Sequence, residues 1–152
     1  MRVSTRTRYG VRAMMELAMN EGPRPVSVRQ IAEAQELPVK YLEQLISALR
    51  AAELVRSQRG IGGGYVLTRT PEEITIADIY VALEGPLVPV ECLSDSVECG
   101  REGICATREV WSRVTEAVRD VLASITLADL VADTRERCAI GRPDSSEDSA
   151  AL

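Results

Sequence analysis

Between Val26 and Leu67 the chain carries, in order, a capped helix, a turn, a second amphipathic helix and a glycine-tipped hairpin. No other stretch restricts the fold as much. Leu42, Leu45, Ile46 and Leu49 recur at helical spacing and predict one helix over 37–52 with a single apolar stripe. Lys40, Glu43, Gln44, Ser47 and Arg50 fall on its other faces. Their side chains suit base edges and phosphates. The same pattern also describes an ordinary amphipathic surface helix, so the flanking segments decide.

Upstream, Ser27-Val28-Arg29-Gln30 has the spacing of a capping box and opens a short helix to about Gln35. Glu36-Leu37-Pro38 makes the turn, with Pro38 placed for the first turn of the next helix. Two helices joined this closely read as a helix-turn-helix. Downstream, 54–57 and 65–67 are strand-like and are joined by Arg59-Gly60-Ile61-Gly62-Gly63-Gly64. The hairpin is a wing. These glycines do not fit G-x-G-x-x-G or a phosphate loop, and a strand follows them, which disfavours a nucleotide cradle. Glycines at a hairpin tip permit positive φ and close approach to a partner. A tight turn and a wing resting on DNA both need them.

Charge divides along the chain. The net charge is −5, yet residues 1–70 sum to +5 and residues 71–152 to −10. A basic first half on an acidic protein is the footprint of a DNA-binding end, although charge runs are often only solvated faces. Arg2, Arg6 and Arg8 form a basic lead-in within reach of phosphates. No run of about eighteen apolar residues occurs, so no membrane span is expected. The N-terminus lacks the apolar core of a signal peptide, so a cytoplasmic protein is expected.

The first helix is expected to follow the lead-in and run to about Asn20, burying Tyr9, Ala13, Met14 and Leu17. Pro71-Glu72-Glu73 marks a break, and Thr75 can cap a helix over 76–84. A loop from 86 to 105 is long for a compact domain and is expected to be functional or disordered. A long helix over 106–124 then carries Val110, Trp111, Val114, Val118, Val121, Leu122 and Ile125 as one apolar seam. Phe is absent and aromatics are 3%, so a slim aliphatic core would be completed in a homodimer. Packing of the seam on the first helix of a monomer is the alternative. Thr126 caps a last short helix over 127–132. The division expected is a winged helix-turn-helix domain at 1–70, a linker helix, cysteine loop and dimerisation helix at 71–132, and a disordered tail at 133–152. The fold class is mainly α with a small β-hairpin wing.

The cysteines are spaced Cys92-x6-Cys99-x5-Cys105, with Cys138 far behind. No C-x-x-C pair exists, which weakens a zinc ribbon or a dithiol redox motif. The chain has no histidine, which removes His-based zinc sites and imidazole catalysis. Carboxylates form no recognisable catalytic pair, so an enzyme is not expected. Three thiolates on one loop can wrap a metal cluster, and buried or spare cysteines are the alternative.

Several of these stretches together resemble the IscR/NsrR-type iron–sulfur transcription regulators. They are Met1-Arg2-Val3-Ser4 with Arg8-Tyr9, Tyr41-Leu42-Glu43-Gln44-Leu45, Leu54-Val55-Arg56-Ser57 with Arg59-Gly60-Ile61-Gly62-Gly63-Gly64-Tyr65, and the three-cysteine loop. The match runs from residue 1 to about 132. The resemblance implies a homodimer on double-stranded operator DNA, acting as a repressor. It implies a 2Fe-2S or 4Fe-4S cluster on Cys92, Cys99 and Cys105 that controls DNA affinity in response to cluster supply, nitric oxide or redox state. It places Lys40, Glu43 and Gln44 in the major groove and Arg59 in the minor groove. Arg2, Ser27, Tyr41, Arg50, Gly60 and Gly62 complete the expected DNA-facing set.

The chain also departs from the family pattern. One branch has a histidine three residues after the third cysteine, where this chain has Arg108. Two other branches draw ligands from the partner's first helix, at places matching Arg8 and Arg12. Arginine cannot ligate iron at working pH. The fourth ligand is left open among Glu91, Asp95, Glu98, Cys138, a thiol and solvent. Two rival readings follow. One is a cluster-free regulator that senses thiol chemistry or a partner enzyme of cysteine metabolism. The other is a zinc-stabilised interaction module without a DNA role.

Overall fold

Ser4 opens the first helix, its Oγ accepting from the Thr7 N–H at 3.1 Å. The computed structural model describes residues 4–20, 24–88, 90, 93, 100 and 102–140. Helix α1 (Thr5–Met19) therefore starts within the basic lead-in, earlier than expected, and carries Arg6 and Arg8 on its first turn. The cap outweighs the weak propensity of Thr5 and Thr7. Gly10, Ala13, Met14, Leu17 and Ala18 are buried on its inner face. Tyr9 is only half-buried, at the edge of the core. At Gly10 a Cβ would lie 2.1 Å from Leu83 Cδ1, so the missing side chain sets how closely the next-but-two helix approaches.

Helix α2 (Val28–Gln35) has the full capping box, with Ser27 and Gln30 each bonded to the other's backbone N–H. Glu36 then turns the chain in the left-handed region at φ 52°, and the Leu37 N–H returns to Ala32 O at 2.9 Å. Helix α3 (Val39–Ala51) begins at Val39 rather than Leu37. Pro38 stands just outside it as the N-cap, and Leu37 is buried in the turn instead of lying on the helix. Leu42, Leu45, Ile46 and Leu49 are all buried on one stripe, as the periodicity requires.

Strands β1 (Val55–Gln58) and β2 (Gly64–Leu67) pair antiparallel with Val55 opposite Leu67 and Gln58 opposite Gly64. A third segment joins them. Val26 and Tyr65 exchange both backbone bonds, at 3.0 and 2.8 Å, so the chain entering α2 is stitched to the wing. A Cβ on Gly64 would sit 2.4 Å from Val26 O, and only glycine permits this approach.

A 3₁₀ turn at Pro71–Glu73 leads to α4 (Ile76–Glu84), and a second at Glu102–Ile104 leads to α5 (Ala106–Ser124) and α6 (Leu127–Ile140). Thr75 with Asp78 forms a capping box at the start of α4, and Thr126 bonds Asp129 in the same way at the start of α6. These two starts are clasped together, Ile76 N–H to Ile125 O and Leu127 N–H to Ile74 O, both at 2.9 Å. Leu127 and Val131 then join the core shared by α1 to α4.

Helix α6 runs to Ile140, past the expected end near residue 132. Its apolar stripe stops, but Arg135-Glu136-Arg137-Cys138-Ala139 contains no helix breaker, and a solvated helix needs no stripe to continue. Residues 133–140 of the expected tail are thus helical, and residues 141–152 lie outside the described residues.

Helix α5 is different in kind. Of its 19 residues only Thr115 is buried. It packs against α4 rather than along α1. Val110, Trp111, Val114 and Val121 stand 41–58% exposed. Trp111, Val114, Val118 and Val121 alternate spacings of three and four, the repeat of a two-helix seam, whereas Ile125, expected on the same seam, lies past the helix end in extended conformation.

Candidate nucleic-acid interface and cysteine segment

The stripe that anchors α3 in the core leaves its opposite side in solvent. Lys40, Glu43, Gln44, Ser47 and Arg50 are all exposed there. This row presents an ammonium, a carboxylate, an amide, a hydroxyl and a guanidinium, which between them can pair with any base edge or phosphate. Arg59 is exposed where β1 enters the wing loop, and Gly60 and Gly62 follow with φ of 127° and 75°. The reader row and the wing tip thus both carry the predicted residues in accessible positions.

Two predicted residues have other contacts. The hydroxyl of Ser27 donates to Gln30 Oε1 at 2.8 Å and accepts from the Gln30 N–H at 3.2 Å, so it is committed to the helix cap. Tyr41 is half-buried, its ring edge-on to that of Tyr9. Arg2 lies outside the described residues.

Sequence reasoning missed how α1 holds this surface. Arg12 donates from Nε to Gln35 Oε1 at 3.1 Å and from Nη2 to the Gln35 carbonyl. A cation at the last carbonyls of α2 is favourably placed against the helix dipole. The same guanidinium sits 5.8 Å from the Tyr9 ring centroid, and Gln35 Nε2 donates to Glu16 Oε2 at 2.9 Å. Arg12 is therefore a structural brace between α1 and the helix-turn-helix. Only its partner's place at the very end of α2 could have signalled this from sequence.

A second brace precedes the cysteine segment. Glu84, the last residue of α4, accepts from Ser4 Oγ and from Thr7 Oγ1, the latter at 2.8 Å. The Ser4 hydroxyl, then Thr7 and the nearby Arg6 charge, hold its carboxyl below the usual carboxylate range against the opposing effect of burial. The negative end of α4 is thereby tied to the positive end of α1.

Cys92 and Cys99 lie outside the described residues. Cys105 is the N-cap of α5, half-buried, with Sγ 3.2 Å from Thr107 Oγ1. Arg108 is on the first turn of α5, its N–H bonded to Cys105 O at 3.2 Å. Cys138 is exposed on α6. Cys105 suits a thiolate ligand by its partial exposure and by the backbone N–H groups at the start of α5. Among the described residues no helix is long and apolar enough to cross a membrane.

With this geometry in view, similarity to known proteins is informative. A family model described as "Rrf2: Iron-dependent Transcriptional regulator" matches residues 3–133. The chain is 48% identical over 134 residues to the HTH-type transcriptional regulator CymR of Bacillus subtilis, covering 88% of this chain and 92% of that one. Its structure is similar to that of CymR, the global cysteine regulator of B. subtilis, with TM-score 0.73 and 47% identity over 88% of this chain and 98% of that chain. It is equally similar to T. potens IscR, with TM-score 0.74 and 40% identity over 95% and 94%.

Proposed function

The chain belongs to the Rrf2 family of transcriptional regulators, and from that premise we propose that it acts as a homodimeric repressor whose hold on its operator is set at the cysteine segment. It is a DNA-binding regulator and not an enzyme. The zinc-stabilised module without a DNA role is thereby set aside. In the reading proposed here, Lys40, Glu43, Gln44 and Arg50 meet the major groove and Arg59 the minor groove of double-stranded DNA.

The observation that carries this reading is the bare apolar row on α5. Val110, Trp111, Val114 and Val121 are each more than 40% exposed in the single chain. A second α5 packed along that row would bury them and present two copies of α3 to one duplex.

Cys92, Cys99 and Cys105 would hold an iron–sulfur cluster, which would supply reactivity toward oxygen, nitric oxide or iron limitation. What this chain contributes is the coupling. Cys105 stands at the N-cap position of α5 and its Sγ lies 3.2 Å from Thr107 Oγ1, so a change at its sulfur is felt on the first turn of that helix. Glu84, at the other end of the segment, is bonded to the start of α1. A difference of about 1.4 kcal/mol between two states suffices for a tenfold change in affinity.

The likeness to CymR, a cysteine regulator by its printed description, favours a second reading. The fold and operator surface stay the same, and the signal is thiol oxidation or a partner enzyme of cysteine metabolism. Arg8, Arg12 and Arg108 stand where the resemblance would have other branches place ligands, and Arg12 is already bonded to Gln35.

Anaerobic purification separates the two. Visible absorbance with iron and sulfide, lost in Cys92→Ala, supports the cluster. Colourless protein whose operator binding responds to a thiol oxidant supports the second reading. In either case Arg59→Ala weakens operator binding in a gel shift. An unchanged midpoint removes the wing from the mechanism.

A further inference from the structure

The most exposed large apolar side chain among the described residues is Ile61, at 112% of its reference area. It stands at the apex of the wing. The Gly63 N–H returns to Gly60 O at 3.0 Å and closes a four-residue turn with Ile61 at its first corner. Gly60 and Gly62 on either side hold φ of 127° and 75°, and a Cβ at either would meet nothing within 4 Å. The tip is thus one branched aliphatic side chain carried on nearly bare backbone.

The turn itself does not call for this residue. Turn corners favour proline, aspartate, serine and glycine, and β-branched side chains suit strands. None of the described residues shelters Ile61, so its apolar surface is left in water. A blade of this shape fits a slot about 6 Å wide, which is the width of the minor groove. Arg59, two residues away, supplies the cation that such a groove attracts.

We propose that Ile61 is a minor-groove wedge, which seats its side chain at a base step and kinks the operator toward its major groove, away from the wing. The proposal rests on the DNA-binding reading above and adds to it a specificity element that forms no hydrogen bond. Apolar wedges partly unstack a step and kink the duplex. Preference would fall on pyrimidine–purine steps, which open most easily.

The test uses full-length protein and a duplex selected by that protein from a random library. Circularly permuted fragments measure the bend and titration measures the affinity. Wild type is expected to bend the duplex by at least about 20°. Ile61→Ser is expected to lose most of that bend and to bind roughly tenfold more weakly. Its salt dependence should be unchanged, because no phosphate contact is removed. Ile61→Leu, which keeps the apolar bulk, is expected to retain both properties. Equal bend and affinity for wild type and Ile61→Ser would overturn the wedge while leaving the regulator reading intact. Failure of wild type to select any duplex would instead count against the DNA-binding surface as a whole.

Discussion

The ring of Tyr9 on α1 meets the ring of Tyr41 on α3 edge-on, with centroids 5.9 Å apart and planes at 82°. This is the favoured T-shaped arrangement of two aromatic quadrupoles, and it joins α3 to α1. A double-mutant cycle with Tyr9→Leu and Tyr41→Leu is expected to give a coupling energy of about 1 kcal/mol. Urea unfolding of the four proteins provides the measurement. Additive losses would mean that the rings are neighbours without being partners.

Gly64→Ala tests the stitch between the wing and the entry to α2. The added methyl would lie 2.4 Å from Val26 O and 2.8 Å from Ser27 N, both backbone atoms that cannot rotate away. Either the Val26–Tyr65 bridge opens or the strand shifts. A loss of about 1–3 kcal/mol is expected, read as a lower thermal midpoint, together with weaker DNA binding because Ser27 opens the helix-turn-helix. A midpoint equal to wild type would show that the bridge adjusts without cost.

Locally coded features were legible in the sequence, and contacts between distant segments were not. Ser27 with Gln30 acts within four residues, so its capping box could be read directly, and Thr75 could be read as a cap. The polar row of α3 followed from its apolar stripe by subtraction. The start of α1 was misplaced because Ser4 acts as a cap inside a run otherwise read by its charge. Tyr41 is next to Lys40 in sequence, but its contact with Tyr9 on α1 spans 32 positions and could not be read from spacing. Arg12 and Gln35 are 23 positions apart, and no spacing rule joins them. The end of α6 was set too early because its last turns are helical without burying anything.

Acid should weaken the fold through two carboxylates in particular. Glu84 is held below the usual range, first by the Ser4 hydroxyl and then by Thr7 and Arg6. Asp129 is held there first by the backbone N–H of Thr126 and then by its hydroxyl. Folding therefore favours the ionised forms. Their contribution is complete above the unfolded carboxylate pKa of about 4.3 and is lost as pH falls through the lower folded-state values. The thermal midpoint of wild type should drop between about pH 5 and pH 3. Glu84→Gln should drop less over that window, because one of the two groups has been removed. Parallel profiles would mean that the Ser4–Glu84 contact has no energetic weight.

The last prediction concerns the exposed side of α5. Val121 is 58% exposed in the single chain and lies seven residues after Val114, on the same row. A glutamate there meets no core, so the isolated subunit should keep its helical content and most of its stability. Across a two-helix seam the same glutamate would be carried by both subunits into a desolvated position, where an unpaired charge is strongly disfavoured. Val121→Glu is therefore expected to shift the protein from dimer to monomer in sedimentation while its circular dichroism stays unchanged. Operator affinity should fall steeply with it, because one winged module alone reads only half a site. Arg113→Glu gives the control, since it changes two charge units on a solvated position of the same helix and should leave the dimer in place. Dimeric Val121→Glu would show that the subunits associate through another surface, and the apolar row on α5 would then need a different cover.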